Sequence, residues 1–161
     1  MKNIAVFADV QNIYYTTRQA YGRQFNYRKL WQQLNEMGNV VMANAYAISR
    51  DDDQQIKFQD ALRHIGFDVK LKPYIQRSDG STKGDWDVGI AIDVMEAAQS
   101  PEQAVDMVVL LSGDGDFDML MAKVREAYGK EAVVFGVPML TANSLINSVD
   151  RFVPIYEDLL L

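Results

Sequence analysis

Apolar residues fall along this chain in two alternating rhythms. Short runs rich in Val, Ile, Leu and Phe are followed by longer stretches in which apolar positions recur every three or four residues. The first pattern marks strands buried on both faces and the second marks amphipathic helices. The runs predict strands over Asn3 to Asp9, Val40 to Ile48, Phe67 to Lys72, Met107 to Ser112, Glu131 to Val137 and Arg151 to Ile155. Helices are predicted between them. One is capped by Asn26, turns Leu30, Trp31, Leu34 and Met37 inward, and ends at Gly38. A second begins near Asp51-Asp52-Asp53, buries Phe58, Ala61, Leu62 and Ile65, and stops at Gly66. A third runs from about Trp86 to Gln99 with Val88, Ala91, Ile92 and Met95 inward, and Ser100-Pro101 ends it. A fourth starts at Asp116, buries Phe117, Leu120, Met121, Val124 and Tyr128, and ends at Gly129; a short helix covers Ala142 to Ser148. Asp or Asn at the start and Gly at the end is ordinary helix punctuation.

Strand-helix alternation with no linker, repeat or low-complexity stretch predicts one domain over residues 1–161. Its class is α/β: a three-layer, Rossmann-like sandwich with a mainly parallel sheet of five to six strands. The segment Pro73 to Gly84 interrupts the alternation. It is polar, carries an Asp79-Gly80 turn signal and has no helical period, so an exposed loop is expected there.

Composition narrows the chemistry. At 48% hydrophobic and 24% charged, the 161 residues have globular rather than disordered character. No apolar run approaches the roughly 20 residues of a membrane helix, and the N-terminal run reads as a strand rather than a signal peptide. Neither a membrane partner nor a targeting segment is expected, which suggests a cytoplasmic protein. The absence of Cys rules out thiolate metal sites, and the single His64 rules out a multi-histidine zinc site. Any metal must be held by oxygen, which points to Mg2+ or Mn2+. The net charge of −6 argues against a general, charge-driven nucleic-acid binder, unless aspartates are neutralised by a cation where a phosphate would sit.

The candidate chemistry follows the strand ends, where ligands bind in open α/β sheets. The first strand ends at Asp9, with Asn12 one turn on. The fourth ends at Ser112 and leads into Gly113-Asp114-Gly115-Asp116. With strand order 3-2-1-4-5, these two strands are neighbours and Asp9 faces Asp114. Asp87, in Lys83-Gly84-Asp85-Trp86-Asp87-Val88, opens a helix at the same edge. Asp9, Asp87, Asp114 and Asp116 then converge as metal ligands, because crowded carboxylates are costly without a cation among them. Such a site suits phosphodiester hydrolysis, with Asn12 orienting water or phosphate and Lys83 stabilising phosphate charge. Arg18, Arg23, Arg28 and Lys29, interleaved with Tyr14, Tyr15, Tyr21 and Tyr27, offer a basic-aromatic lip for single-stranded RNA. Lys70, Lys72 and Arg77 offer a second rim.

Three pieces, Phe7-Ala8-Asp9-Val10-Gln11-Asn12, Lys83-Gly84-Asp85-Trp86-Asp87-Val88 and Ser112-Gly113-Asp114-Gly115-Asp116-Phe117, carry a family signature in their order and spacing. Together they resemble the NYN-domain family, the LabA-like branch of the PIN-like nucleases. The resemblance spans nearly the whole chain. It implies a PIN-like sandwich and a metal-dependent ribonuclease site, with Asp9, Asp87, Asp114 and Asp116 at the family's acidic positions and Asn12 at its polar one. RNA, in single-stranded form, is the implied partner; a homo-oligomer or protein partner is left undetermined.

Each of these residues also has a plainer reading. Asp116 caps the fourth helix, a duty that does not extend to Asp114; Asp9 is a turn residue, and Asp87 is an acid favoured by the helix dipole. Asp85 competes with Asp87 for the N-cap. Asp93 is solvated or internally bonded, and Asp51, Asp52 and Asp53 are capping and solvated charges. Ser112, a candidate substrate contact like Arg18, turns the chain or bonds a neighbouring aspartate rather than acting as a nucleophile, and Lys83 is either a phosphate contact or loop charge. His64 is structural or exposed. An EF-hand fails, because Met119 and Arg125 stand where Gly and Glu are needed. Two classes remain: a metal-dependent ribonuclease, and a binding module whose acidic pocket holds metal or nucleotide without turnover.

Overall fold

In the computed structural model, residues 1–49, 52–73, 75–76, 82–83 and 85–161 are described, with the backbone alone at 73, 75–76 and 82–83. Six strands form one all-parallel sheet: β1 (Asn3–Asp9), β2 (Asn39–Ser49), β3 (Asp68–Pro73), β6 (Met107–Leu111), β7 (Glu131–Gly136) and β8 (Arg151–Pro154). Their order is β3-β2-β1-β6-β7-β8, which reverses direction between β1 and β6. The helices are α1 (Val10–Tyr21), α2 (Tyr27–Met37), α3 (Asp53–Ile65), α4 (Asp87–Gln99), α5 (Asp118–Glu126) and α6 (Asn143–Ile146).

Burial on both faces explains the unbroken apolar strands. One face of the sheet gives Ile4, Val6, Ala45, Val109 and Phe135 to a core closed by Ile13, Leu30, Leu34 and Leu62 of α1 to α3. The other gives Ala5, Phe7, Val108, Leu110 and Val134 to a core closed by Ile90, Val94, Met121, Val124 and Leu145 of α4 to α6. The result is a three-layer α/β sandwich. Among the described residues no helix is long and apolar enough to cross a membrane.

Four local features differ from the sequence-based expectation. Helix α1 was not anticipated: its inward face is only Val10, Ile13 and Thr17, too sparse to stand out. On α4 the expected inward face is the outward one. Val88 and Ile92 are 71% and 53% exposed, while Ile90, Val94, Ala97 and Ala98 are buried. The helix is apolar on both sides, so periodicity does not select its buried face. Ala61 of α3 is likewise exposed, and Gln59 is buried beside Leu62. Within the expected loop, β4 (Ile75–Gln76) and β5 (Thr82–Lys83) pair antiparallel; Arg77 and the Asp79-Gly80 signal lie outside the described residues.

Candidate functional site

The strand reversal between β1 and β6 opens a crevice at their C-terminal ends. Parallel pairing aligns Ala8 with Leu111, so Asp9 and Ser112 leave the sheet side by side. Asp9 caps α1 by accepting from the backbone N–H of Asn12 at 3.4 Å, and its other oxygen accepts from the Ser112 hydroxyl at 3.1 Å. The amide oxygen of Asn12 in turn accepts from the Gly113 N–H at 2.8 Å. These bonds tie the first turn of α1 to the turn after β6.

That turn is shaped by close backbone approach. A Cβ at Gly113 would meet the Leu140 carbonyl oxygen at 2.5 Å, and one at Gly115 would meet the Ala142 methyl at 2.9 Å. Buried Phe117 anchors a short 3₁₀ turn, Gly115–Phe117, ahead of α5. Asp114, not Asp116, caps it: an Asp114 oxygen accepts from the Asp116 N–H at 2.9 Å. This reverses the expected division, in which Asp116 was the cap and Asp114 had no structural duty. The exposed Asp116 carboxylate is free of that role.

Asp87 arrives from the other face. The Trp86 indole N–H donates to the Ala47 carbonyl at 2.9 Å, and its ring packs edge-on against Tyr46. This pins the start of α4 to the end of β2. Neither Asp85 nor Asp87 is the N-cap of α4: Trp86 holds that position without a side-chain bond, Asp85 just before it accepts from the Asp87 N–H at 3.3 Å, and the Asp87 side chain is left for the crevice.

Asp87, Asp114 and Asp116 come together: one carboxylate oxygen from each lies within 4.8 Å of the others. Asp9 is not in this trio. It stands behind, buried and bonded to Asn12 and Ser112, which departs from the expected four-ligand ring. Burial pushes Asp87 up to about 7, reinforced by hydrogen bonding of its neutral form to Asp114 and by the charges of Asp114, Asp85 and Asp9. Burial, with repulsion from Asp114 and Asp85, holds Asp9 at about 6 despite its two hydrogen bonds. Among the described residues no Lys or Arg forms an ion pair with any of the four. A cation would relieve this repulsion. The trio fits an oxygen-ligated Mg2+ or Mn2+, since ligands at about 2.0–2.6 Å on opposite sides of one ion are about 4.0–5.2 Å apart, a range that takes in the trio's spacing.

The other candidates fall in different places. Ser112 is fully buried, and its hydroxyl, bonded to Asp9, accepts from the Asp114 N–H at 3.2 Å. It is therefore a positioning residue rather than a substrate contact. The Lys83 side chain lies outside the described residues. Arg18 is exposed on α1 and donates to the Tyr14 hydroxyl at 2.6 Å. The proposed lip is only partly a surface. Tyr27 is buried against Phe25, Phe58 and Phe67, the Tyr21 hydroxyl donates to the Ile155 carbonyl, and Arg23 donates to Leu161. Arg28 and Lys29 are exposed at the start of α2. The second rim is committed as well. Lys70 pairs with Asp93 at 2.9 Å, where Tyr46 also donates, so Asp93 is internally bonded. Lys72 lies over the Trp86 ring at 4.5 Å. Trp86 is the positioning residue that the sequence reading passed over, although it stands between the two acids of its motif.

The NYN domain family model matches residues 3–157. Low amplitude and bright protein LabA of Synechococcus elongatus is 28% identical over 162 residues, covering 96% of this chain and 84% of that protein. A solved protein of unknown function from Vibrio parahaemolyticus is 50% identical, with a TM-score of 0.91 over 99% of this chain and 96% of that one.

Proposed function

This chain belongs to the NYN-domain family, within the PIN-like nuclease superfamily, and on that premise we propose that it is a metal-dependent ribonuclease hydrolysing RNA phosphodiester bonds. The observation that carries the proposal is the convergence of Asp87, Asp114 and Asp116 on one point at the strand reversal, with no basic side chain among the described residues pairing them. Asp87, Asp114 and Asp116 would hold the ion, and Asp9 adds charge from behind. When bound, Mg2+ or Mn2+ acidifies water and polarises a phosphoryl oxygen. Ser112 and the Asn12 backbone N–H keep Asp9 oriented. The Asn12 amide oxygen is used by Gly113, which leaves its NH2 group to donate to a phosphate oxygen. Lys83, four residues before Asp87, and Arg18 are assigned to phosphate contact. The activity belongs with single-stranded RNA, where bases are free to leave the backbone accessible, and its setting is cytoplasmic.

The test is cleavage of labelled single-stranded RNA by the purified protein with Mn2+ or Mg2+. Asp114→Asn is expected to lower the rate at least about a hundredfold, and EDTA to abolish it. RNA left intact under both metals, with Asp114→Asn indistinguishable from the parent, would overturn the hydrolytic reading and leave a binding module.

A further inference from the structure

On the α1–α3 side of the sheet, lined from Val10 next to Asp9 onward, lies a cleft of about 740 Å³ between α1, the first turn of α3 and the end of β2. Its α1 wall carries Gln11, Tyr14, Tyr15 and Arg18, and the α3 wall carries Gln54 and Gln55. This α1 stripe begins at Gln11, two residues after Asp9, and runs to Arg18, about 10 Å at 1.5 Å per residue. Tyr14 and Tyr15 are 40% and 53% exposed and meet edge to face at 5.4 Å. Large aromatic surface left in water beside a groove suits stacking on a flat ligand.

The polar lining is selective in its chemistry. On a chain of net charge −6, no Asp or Glu among the described residues lines the cleft, and Arg18 is the charged residue among those that do. Among the described residues the Arg18 guanidinium is in no ion pair, and the amide groups of Gln11, Gln54 and Gln55 have no hydrogen-bond partner. Primary amides offer a donor and an acceptor side by side, the arrangement that pairs with a base edge. Among the described residues, exposed aromatic rings, amides without a partner and one cation describe a nucleotide site.

We propose that this cleft is a base-reading subsite, which seats an unpaired nucleotide of the RNA strand next to the scissile phosphate. Tyr14 and Tyr15 stack the base, Gln54 and Gln55 read its edge, and Arg18 meets the adjoining phosphate. The assignment of a scissile neighbour rests on the hydrolytic reading above. The cleft would thus decide which bases flank the cut, while the carboxylates decide whether a cut occurs.

The test is fluorescence anisotropy with end-labelled homopolymeric RNA decamers in EDTA, where nothing is cleaved and the cleft is read alone. The double variant Tyr14→Ala/Tyr15→Ala is expected to bind single-stranded decamers about tenfold more weakly or worse, with an unchanged thermal melt. Gln54→Ala/Gln55→Ala is expected to change the ranking among the four homopolymers by about fivefold. Unchanged affinity in the tyrosine variant, with its fold intact, overturns the subsite. So does a free mononucleotide that binds as tightly as a decamer, which would make the cleft a nucleotide pocket. The two readings fail separately. Tyrosine-dependent binding with RNA left uncut under Mn2+ overturns only hydrolysis; Asp114-dependent cutting with tyrosine-independent binding overturns only the subsite.

Discussion

At the residue scale, the site is governed by how a few carboxylates are desolvated and held. Asp9 is the clearest case. Its folded value of about 6 lies above the unfolded 3.8, so the native state holds more protons between those values. Stability from this group is therefore full below pH 3.8 and is lost as pH rises through about 6, by at most about 3 kcal/mol. In urea unfolding with EDTA, the parent protein should lose more stability than Asp9→Asn between pH 5 and 7.5, values chosen to bracket the folded pKa. Equal losses in the two proteins would refute the burial argument. Ser112 acts through Asp9, since its hydroxyl favours the charged carboxylate. Ser112→Ala should weaken Mn2+ binding about tenfold by calorimetry, as loss of a supporting hydrogen bond behind metal ligands does. Which side chains carry acidity was readable from the sequence. Which of them caps was not, because Asp114 and Asp116 are two residues apart and only the turn's backbone decides that Asp114 receives the N–H.

At the element scale, two joints place the acids. The first is the Gly113 turn, held against the Leu140 carbonyl and bonded through the Ala142 N–H to the Gly113 carbonyl at 3.0 Å. Gly113→Ala forces a Cβ against backbone that has no rotamer escape. It should cost about 1–3 kcal/mol in denaturant unfolding, with metal affinity falling as well. The second joint is Trp86, which fastens the start of α4 to β2. Trp86→Phe keeps a ring against Tyr46 but leaves the Ala47 carbonyl without its donor. About 1 kcal/mol of stability should be lost, with a weaker Mn2+ titration because Asp87 is held less firmly. A Mn2+ titration identical to the parent's would show that α4 is placed by its packed face alone. That face, Ile90, Val94, Ala97 and Ala98, is opposite to the one the pattern favoured. A helix apolar on both sides offers the sheet two choices, and packing on the sheet, not periodicity, decides between them.

At the scale of the whole molecule, the parallel sheet converts distant sequence into one crevice: Asp9 and Ser112, 103 residues apart, become bonded neighbours. A cation held by Asp87, Asp114 and Asp116 joins segments from different parts of the chain, so its binding should stabilise the entire fold. At a Mn2+ concentration about 100 times Kd, linkage adds about 2.7 kcal/mol, seen as a raised thermal midpoint that EDTA reverses and Asp114→Asn lacks. The sequence by itself determined the six long strands, most of the helix boundaries and the chemical type of the site. Apolar runs need burial on both faces, and acids without basic or sulfur partners leave little besides a hard cation. Only the tertiary structure decided that three carboxylates meet while Asp9 stands behind them, that Ser112 is sealed in, and that the aromatic residues of the first two helices divide between core and cleft. Those outcomes depend on strand register and on which helix face packs. Both are set by contacts between residues far apart in the chain, and local periodicity carries no record of them.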